Sequence, residues 1–277
     1  MADVFRIAVS SVERQECVRH CVETIAEAGR RGADLLVLPE EPDIVASMPP
    51  GQHTLEDHPV FKSFRRAAMR AKVPILGSLS VRLDGGYSNL GYVLDRTGDL
   101  IGVYQKKHPA PGEEEIVTTP IDGDPFPVFD LRGVKLGIAI CMDIHFPEMF
   151  RIYGLKGADI VCVPTMYLDY TGDMLESLEK ARAIDNQVYL AVSHYIDKPF
   201  LSGKSMGYAK VIAPDGRILA STGHRDGIAI AEIDPKWRFP YWGQGELLAA
   251  YPDLRVMFDR IRRPDFYGDL VKPREDE

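Results

Sequence analysis

The chain has 277 residues, of which 45% are hydrophobic and 27% charged, as in an ordinary globular protein with room for one large domain or two small ones. Its net charge of −8 argues against nucleic acid and anionic membrane surfaces as partners. No apolar run approaches the roughly 18 residues of a membrane span, and the start, MADVFRIAVSS, does not resemble a signal peptide. We therefore expect a cytoplasmic protein with reduced cysteines (Cys17, Cys21, Cys141 and Cys162).

Apolar runs typical of strands alternate with helical patterns along the chain. FRIAVS and DLLVLP come first, and KLGIAI, DIVCVP and VYLAVSH follow in the second half. Near-continuous apolar strands fit sheets that are covered on both sides, so the predicted fold class is α/β. No flexible linker divides the chain, so we expect one domain over 1–277 with a polar tail from about 262. Apolar residues at helical spacing predict helices at 13–31, 58–72, 147–157 and 173–186.

Charged side chains follow two of the predicted strands. ADLLVLPEEP places Glu40 and Glu41 just beyond an apolar run, and LIGVYQKKH places Lys106 and Lys107 beyond another. Such residues are normally solvated. In α/β sheets, however, ligands gather at the carboxyl ends of strands, and a carboxylate held at the edge of a core acquires a raised pKa that suits a general base.

A cysteine lies at a third strand end, because Cys141 directly follows the run KLGIAI. Packing in the core is the common role of a free cysteine. A nucleophile, in contrast, needs a neighbouring group that removes its proton, since a free thiol titrates at about 8.5. A glutamate and a lysine at neighbouring strand ends would supply that base and a fixed positive charge.

Cysteine, glutamate and lysine at three strand ends form the pattern of the nitrilase (carbon–nitrogen hydrolase) superfamily, which this sequence resembles through VLPEE, YQKKH and GIAICMDIHFPEMFR. The resemblance implies that Glu40 is the general base, Lys106 the catalytic lysine and Cys141 the nucleophile. It also implies a second glutamate that helps to position substrate, at Glu114 or, one residue earlier, at Glu113. The implied fold is a four-layer α-β-β-α sandwich. A homodimer or larger homo-oligomer is also implied, whereas no cofactor and no metal are.

The implied reaction is cleavage of a non-peptide C–N bond through a cysteine thioester. The backbone N–H of Met142 would stabilise the oxyanion together with Lys106. Nitrile-hydrolysing members commonly carry Trp and Glu after the cysteine, whereas Met142 and Asp143 follow it here, a form that resembles amidases and carbamoyl hydrolases. We therefore expect a small linear amide or N-carbamoyl compound as substrate, with His145 and Tyr167 as further candidates to position it.

Three other functions are compatible with parts of the pattern. A nitrile hydrolase would use the same three residues, and a non-catalytic binding subunit would keep the fold without needing all of them. A papain-like enzyme would instead use a histidine base, for which His108, His145 and His194 are the candidates. No papain-type sequence surrounds Cys141, which disfavours the last alternative.

Overall fold

The structure is a computed structural model that describes residues 4–113, 115–118, 123–167, 173–196 and 208–272. The chain divides into two compact units, one ending at Trp237 and one beginning at Arg238. The prediction of one domain with a tail from about 262 stays a prediction.

Twelve strands and five α-helices make up the first unit within the described residues. The strands are β1 (Phe5–Glu13), β2 (Leu35–Val37), β3 (Ile75–Leu83), β4 (Gly86–Leu94), β5 (Leu100–Gln105), β6 (Phe129–Leu131), β7 (Val134–Ile138), β8 (Ile160–Pro164), β9 (Tyr189–Ile196), β10 (Lys210–Ile212), β11 (Ile218–Ser221) and β12 (Gly227–Ile233). The helices are α1 (Cys17–Arg30), α2 (Pro42–Val45), α3 (Pro59–Ala71), α4 (Pro147–Leu155) and α5 (Met174–Asn186), and a short 3₁₀ helix covers Cys141–His145.

The four predicted helices correspond to α1, α3, α4 and α5. The first begins later than predicted, at Cys17, because β1 continues to Glu13 and pairs there with β9. Helix α3 begins with Pro59 after His58, whose side chain accepts a hydrogen bond from the backbone N–H of Val60 at 3.3 Å. It buries Phe61 and Phe64 against the sheet, and each such burial contributes roughly 1.5–3 kcal/mol of stability.

The strands form one continuous ladder that consists of two sheets joined through β1 and β9. The order is β5-β4-β3-β2-β1-β9-β8-β7-β6, with β12 added beside β1, β10 beside β9 and β11 beside β10. Strand β1 runs parallel to β2 and β9. Strands β3 and β5 run in the same direction as β2, and β7 and β8 run in the same direction as β9. The carboxyl ends of β2, β5 and β7 therefore face the same edge.

Alternate residues of the strands pack into two different layers. Ile7 and Val9 join the cluster that includes Ile138 of the other sheet, whereas Ala8 and Leu36 pack with α1 and α3. This period of two is expected for sheets covered on both faces. The arrangement is helices, sheet, sheet, helices, so the predicted four-layer α-β-β-α sandwich is confirmed.

Two glycines allow the layers to approach closely. A Cβ atom at Gly91 of β4 would lie 3.0 Å from Cγ2 of Ile138 on β7, across the interface between the sheets. A Cβ atom at Gly137 would lie 2.8 Å from the ring of Tyr153 on α4. Neighbouring residues 137 and 138 therefore face a helix and the opposite sheet, respectively.

The second unit contains α6 (Glu246–Ala250) and α7 (Leu254–Ile261) among its described residues. Asp253 caps α7, since its side chain accepts a hydrogen bond from the backbone N–H of Val256 at 2.9 Å. In the described part of the whole chain, no helix combines the length and apolar character that a bilayer span requires.

Candidate active site

Three strand ends bring together the glutamate, lysine and cysteine that the sequence predicted. Glu40 follows β2, Lys106 directly follows β5, and Cys141 follows β7. Lys106 is fully buried and Glu40 is 1% exposed. Because both ionisable groups are removed from water, each needs a partner of opposite charge to be stable in its charged form.

The ammonium of Lys106 lies between two carboxylates. Its Nζ donates to Oε1 of Glu40 at 3.0 Å and to Oε2 of Glu113 at 2.7 Å. Burial alone lowers the pKa of Lys106, but the charge of Glu40, followed by those of Cys141 and Glu113, outweighs burial and raises this pKa. Lys106 therefore stays positively charged at every pH at which the protein is expected to work.

Glu40 has one occupied oxygen and one free oxygen. Oε1 accepts hydrogen bonds from Lys106 and from Nδ2 of Asn89, the latter at 2.8 Å. Oε2 is buried and accepts no hydrogen bond of ordinary geometry from any part of the protein that the structure describes. Burial raises the pKa of Glu40 and the charge of Lys106 opposes that rise. Contact with the Cys141 thiol lowers the pKa of Glu40 slightly, which places the thiol beside this carboxyl.

Cys141 is a half-buried residue in a strained backbone conformation. Its φ is +47°, in the left-handed region that non-glycine residues rarely occupy. Burial raises the pKa of the thiol, the negative charge of Glu40 raises it further, and Lys106 lowers it. A thiol with a raised pKa needs a neighbouring base to remove its proton before it can act as a nucleophile.

The second glutamate of the implied pattern has one candidate among the described residues. Glu113 bonds to Lys106, and its Oε2 also accepts the backbone N–H of Ala110 at 2.8 Å. Glu114 lies outside the described residues. Glu113 is thus placed where a second carboxylate can orient the lysine and meet a substrate.

The other predicted positioning residues, Met142, Tyr167 and His145, differ in burial and in hydrogen bonding. Met142 is the second residue of the 3₁₀ helix, where a backbone N–H has no partner within the helix. Tyr167 is buried, and its hydroxyl has no hydrogen-bond partner among the described residues. Burial raises its pKa, and the charges of Glu179 and then Cys141 raise it further. For the His145 side chain, no hydrogen bond to another described residue is present.

Neither His108 nor His194 is placed to act as a base for Cys141 in the described part of the chain. His108 pairs with Asp143 through Nδ1 at 2.7 Å, and Nδ1 of His194 donates to the carbonyl of Tyr195 at 2.8 Å. Neither imidazole contacts Cys141 through a hydrogen bond. The papain-like alternative has no support from this geometry.

Comparison with known proteins assigns the family. The family model named carbon-nitrogen hydrolase matches residues 6–238. The chain belongs to the carbon–nitrogen hydrolase family. The relative "Nitrilase homolog 2" from Dictyostelium discoideum is 30% identical over 236 residues, which cover 80% of this chain and 71% of that protein. "Omega-amidase NIT2" from Bos taurus is 29% identical over 253 residues, which cover 84% and 88%.

A solved structure of an amidase from Nesterenkonia sp. has the same fold, with a TM-score of 0.74, 23% identity and 96% of each chain covered. A carbon-nitrogen hydrolase from Helicobacter pylori G27 also has a TM-score of 0.74, with 24% identity, 98% of this chain and 99% of that chain covered. The predicted superfamily is confirmed.

Asn89 is a residue of the carbon–nitrogen hydrolase site that sequence reasoning missed. It lies on β4, is buried, and donates to Glu40 across 49 residues of sequence. Asparagine is disfavoured in strands, so its presence in the run SNLGYVL was a usable signal. Its amide holds one oxygen of Glu40 and leaves the other available.

Glu41 is also buried, at 5% exposure, rather than solvated. Burial raises its pKa well above the usual value, and the charges of Glu40 and Asp43 add to the rise. Single oxygens of Glu40, Glu41 and Glu113 lie within 4.8 Å of one another, a spacing that could hold a metal ion. The ammonium of Lys106 already lies between Glu40 and Glu113, however, and supplies the positive charge at this point.

Arg182 and Lys107 are two further basic residues of the hydrolase with defined hydrogen-bond partners. Nε of Arg182 donates to the carbonyl of Ile144 at 2.9 Å, and its Nη2 donates to that of His145 at 3.3 Å. Arg182 thereby holds the end of the 3₁₀ helix that begins at Cys141. The amine of Lys107 donates to the carbonyl of Thr118 at 2.6 Å, and burial lowers its pKa to about 8.

Proposed function

We propose that this carbon–nitrogen hydrolase cleaves a small linear amide or N-carbamoyl compound through a thioester on Cys141. Glu40 is the base and Lys106 the fixed cation in this proposal. The observation that carries it is the fully buried ammonium of Lys106, bonded to Glu40 and Glu113 beside a neutral thiol. Burying such charges is costly and apolar residues of similar volume often stabilise a fold equally well, so a chemical role accounts for them better than packing.

Acylation begins with proton transfer from the Cys141 thiol to Glu40. The sulfur attacks the amide carbon, and the electron pair of the carbonyl bond moves to its oxygen. The ammonium of Lys106 and the N–H of Met142 stabilise that negative charge, and each such donor contributes about a hundredfold or more to the rate. Glu40 then gives its proton to the amide nitrogen, the C–N bond breaks, and ammonia or an amine leaves.

Deacylation uses the same groups in a second addition. Glu40, again a carboxylate, takes a proton from water while the water oxygen attacks the thioester carbon. The oxyanion collapses, the C–S bond breaks, and the sulfur regains a proton from Glu40. A carboxylic or carbamic acid is released and the starting state returns.

Support for an amide as the bond that is cleaved comes from two independent sources. The relatives named "Omega-amidase" align over more than four-fifths of this chain. Met142 and Asp143 follow the nucleophile in place of the tryptophan and glutamate that are common in nitrile hydrolysers. We therefore place amides and N-carbamoyl compounds ahead of nitriles.

Ammonia release from matched amides, N-carbamoyl compounds and nitriles of the same carbon skeleton tests the proposal. We expect release from the amide or carbamoyl series, and none from a Cys141→Ala variant. Faster release from the nitriles would support a nitrile hydrolase instead.

The non-catalytic alternative is tested without a substrate. An activated Cys141 should react with iodoacetamide much faster than the buried Cys17, Cys21 and Cys162, with sites resolved by peptide mass spectrometry. Equal and slow labelling of all four, together with no ammonia release, would support a binding subunit.

We also propose a homodimer or larger homo-oligomer, in the cytoplasm, built on a single catalytic domain. Exposed apolar side chains on α4 and α5, among them Leu155, Met174 and Ile184, support a subunit contact. Four free cysteines support a reducing compartment. Sedimentation equilibrium measures the oligomeric state, and a purely monomeric protein would contradict this part.

A further inference from the structure

Asp143 is fully buried, lies two residues after Cys141, and accepts four hydrogen bonds through its carboxylate. Oδ2 accepts the hydroxyl of Tyr104 at 2.7 Å and the backbone N–H of Ile140 at 2.8 Å. Oδ1 accepts the backbone N–H of His108 at 3.2 Å and its Nδ1–H at 2.7 Å. Buried carboxylates are stable when their lone pairs are used in this way.

The partners of Asp143 flank both reacting residues in the sequence. Tyr104 precedes Lys106 by two residues and His108 follows it by two, while Ile140 directly precedes Cys141. We infer that Asp143 is a positioning residue that fixes the ammonium of Lys106 relative to the sulfur of Cys141. It does so by accepting hydrogen bonds from residues on both sides of the lysine and from the backbone just before the cysteine. This inference rests on the proposed function.

The segment that carries Lys106 and the 3₁₀ helix that begins at Cys141 need such a connection, because the two segments are distant in sequence. Lys106 and Cys141 follow strands of different sheets, β5 and β7. Cys141 is also held in a left-handed conformation, which non-glycine residues adopt only where the surroundings enforce it. The hydrogen bond from Ile140 to Asp143 restrains the backbone immediately before that residue.

The ring of His108 adds a second contact between the same two segments. It stacks on Phe146, which follows the 3₁₀ helix, with centroids 3.7 Å apart and planes 8° from parallel. His108 therefore contacts this segment at two points, the carboxylate of Asp143 and the ring of Phe146.

Asparagine at this position cannot reproduce the contacts. Asp143→Asn replaces one acceptor oxygen by an NH₂ group, so either Ile140 and Tyr104 or His108 would face a donor. A displacement of about 1 Å in a reacting group costs as much as a hundredfold in rate. We expect the turnover number to fall about a hundredfold in this variant, with KM changed much less, because the substrate pocket itself keeps its residues.

A milder pair of variants separates positioning from general loss of stability. Tyr104→Phe removes one hydrogen bond to Asp143. Tyr153→Phe is the matched control, since Tyr153 is equally buried and its hydroxyl donates to the carbonyl of Ile138 at 2.5 Å, on the strand that leads to Cys141. A hydrogen bond to a charged group is worth about tenfold or more. We expect about a tenfold loss of turnover for Tyr104→Phe and less than about a twofold loss for Tyr153→Phe.

The rate at which iodoacetamide labels Cys141, measured against pH in both variants and the wild type, is the decisive measurement. A loosened Lys106 stabilises the thiolate less, so the midpoint of labelling should move to higher pH in Tyr104→Phe and stay unchanged in Tyr153→Phe. Coincident profiles for Tyr104→Phe and wild type, or equal shifts in both variants, would overturn the positioning role.

The same labelling assay distinguishes failure of this inference from failure of the proposed function. If wild-type Cys141 labels no faster than the buried cysteines, the proposed function fails. If it labels fast and the Tyr104→Phe profile does not move, only the role of Asp143 fails.

Discussion

The protein contains two buried lysine–glutamate pairs that look alike as ion pairs and differ in their surroundings. Lys106 meets Glu40 at 3.0 Å, and Lys210 meets Glu179 at 2.6 Å, with every one of these side chains buried. Lys106 binds a second carboxylate, whereas Lys210 has the ring face of Tyr208, with its Nζ 4.3 Å from the centroid. The first pair also lies beside a thiol.

The comparison shows which feature of a buried ion pair indicates a catalytic role. An ion pair on its own stabilises little, because desolvation offsets much of the Coulomb attraction. What distinguishes Glu40 is an oxygen without a hydrogen bond next to a group that can lose a proton. We call Lys106–Glu40 the reactive pair and Lys210–Glu179 the structural pair.

Replacing the two glutamates by glutamine should give the largest contrast. Glu40→Gln removes the base, and general base catalysis is worth about 10²–10⁴-fold, so we expect turnover to fall about a thousandfold. Glu179→Gln should leave turnover per folded molecule within about threefold of wild type, because it does not touch the reacting atoms. Ammonia release normalised to the folded fraction measures both. Similar losses in the two variants would remove the distinction between the pairs.

Breaking the structural pair should reduce stability instead. Lys210→Met leaves Glu179 buried without its partner, which typically costs about 3–5 kcal/mol. The double variant Lys210→Met/Glu179→Leu removes both charges and should regain most of that loss. Urea denaturation at fixed protein concentration measures the free energy of unfolding. A double variant no more stable than Lys210→Met alone would contradict this prediction.

The structural pair also contributes to the pH dependence of stability through His194. Burial and the positive charges of Lys210 and Arg14 together lower the pKa of His194 to about 4, while its hydrogen bond to Tyr195 partly opposes this shift. Between pH 6.5 and 4 the unfolded chain binds a proton that the folded protein excludes, so stability falls as pH falls through this window. The loss amounts to about 3 kcal/mol.

Denaturation midpoints measured across this range check the effect of His194. His194→Asn should flatten the slope of stability against pH, while the exposed His224→Asn serves as a control that keeps it. An unchanged slope in His194→Asn would show that other groups control the acid side.

The smallest effect concerns the pH–rate profile of the reactive pair. The raised pKa of Glu40 places the acid limb above the usual value of 4.5, since the base must be ionised. The raised pKa of Lys106 keeps its charge beyond 10.5, so the lysine causes no alkaline loss below that pH. The charge of Glu113 contributes to the rise for Glu40, so Glu113→Gln should move the acid limb to lower pH. A limb that stays in place or moves up would contradict the assigned coupling.

The sequence predicted which three residues meet at the candidate site, because each lies where a short motif meets the end of an apolar strand. Glu40, Lys106 and Cys141 are each readable from a few neighbouring letters, and three of the four predicted helices begin within one residue of the observed start. Local patterns carry this information since periodicity and strand length depend on neighbours in the chain.

Contacts that depend on sheet register were not predictable in this way. Asn89 reaches Glu40, and Asp143 reaches Tyr104 and His108, only because strands distant in sequence are aligned in a particular register. A one-residue shift would turn each side chain to the opposite face. Glu41 was misjudged for the same reason, because its burial depends on what covers the end of β2 rather than on its own neighbours.

Lys106 and Lys107 are adjacent in sequence but differ in chemical reactivity. One is a permanent ammonium, and the other, with a pKa of about 8, is an uncharged amine in about half of the molecules at that pH. Acylating reagents modify amines only in the uncharged form, so mild treatment at pH 8 should modify Lys107 and spare its neighbour. A fluorophore could thus be attached next to the candidate catalytic residues of the native chain, without introducing a new cysteine.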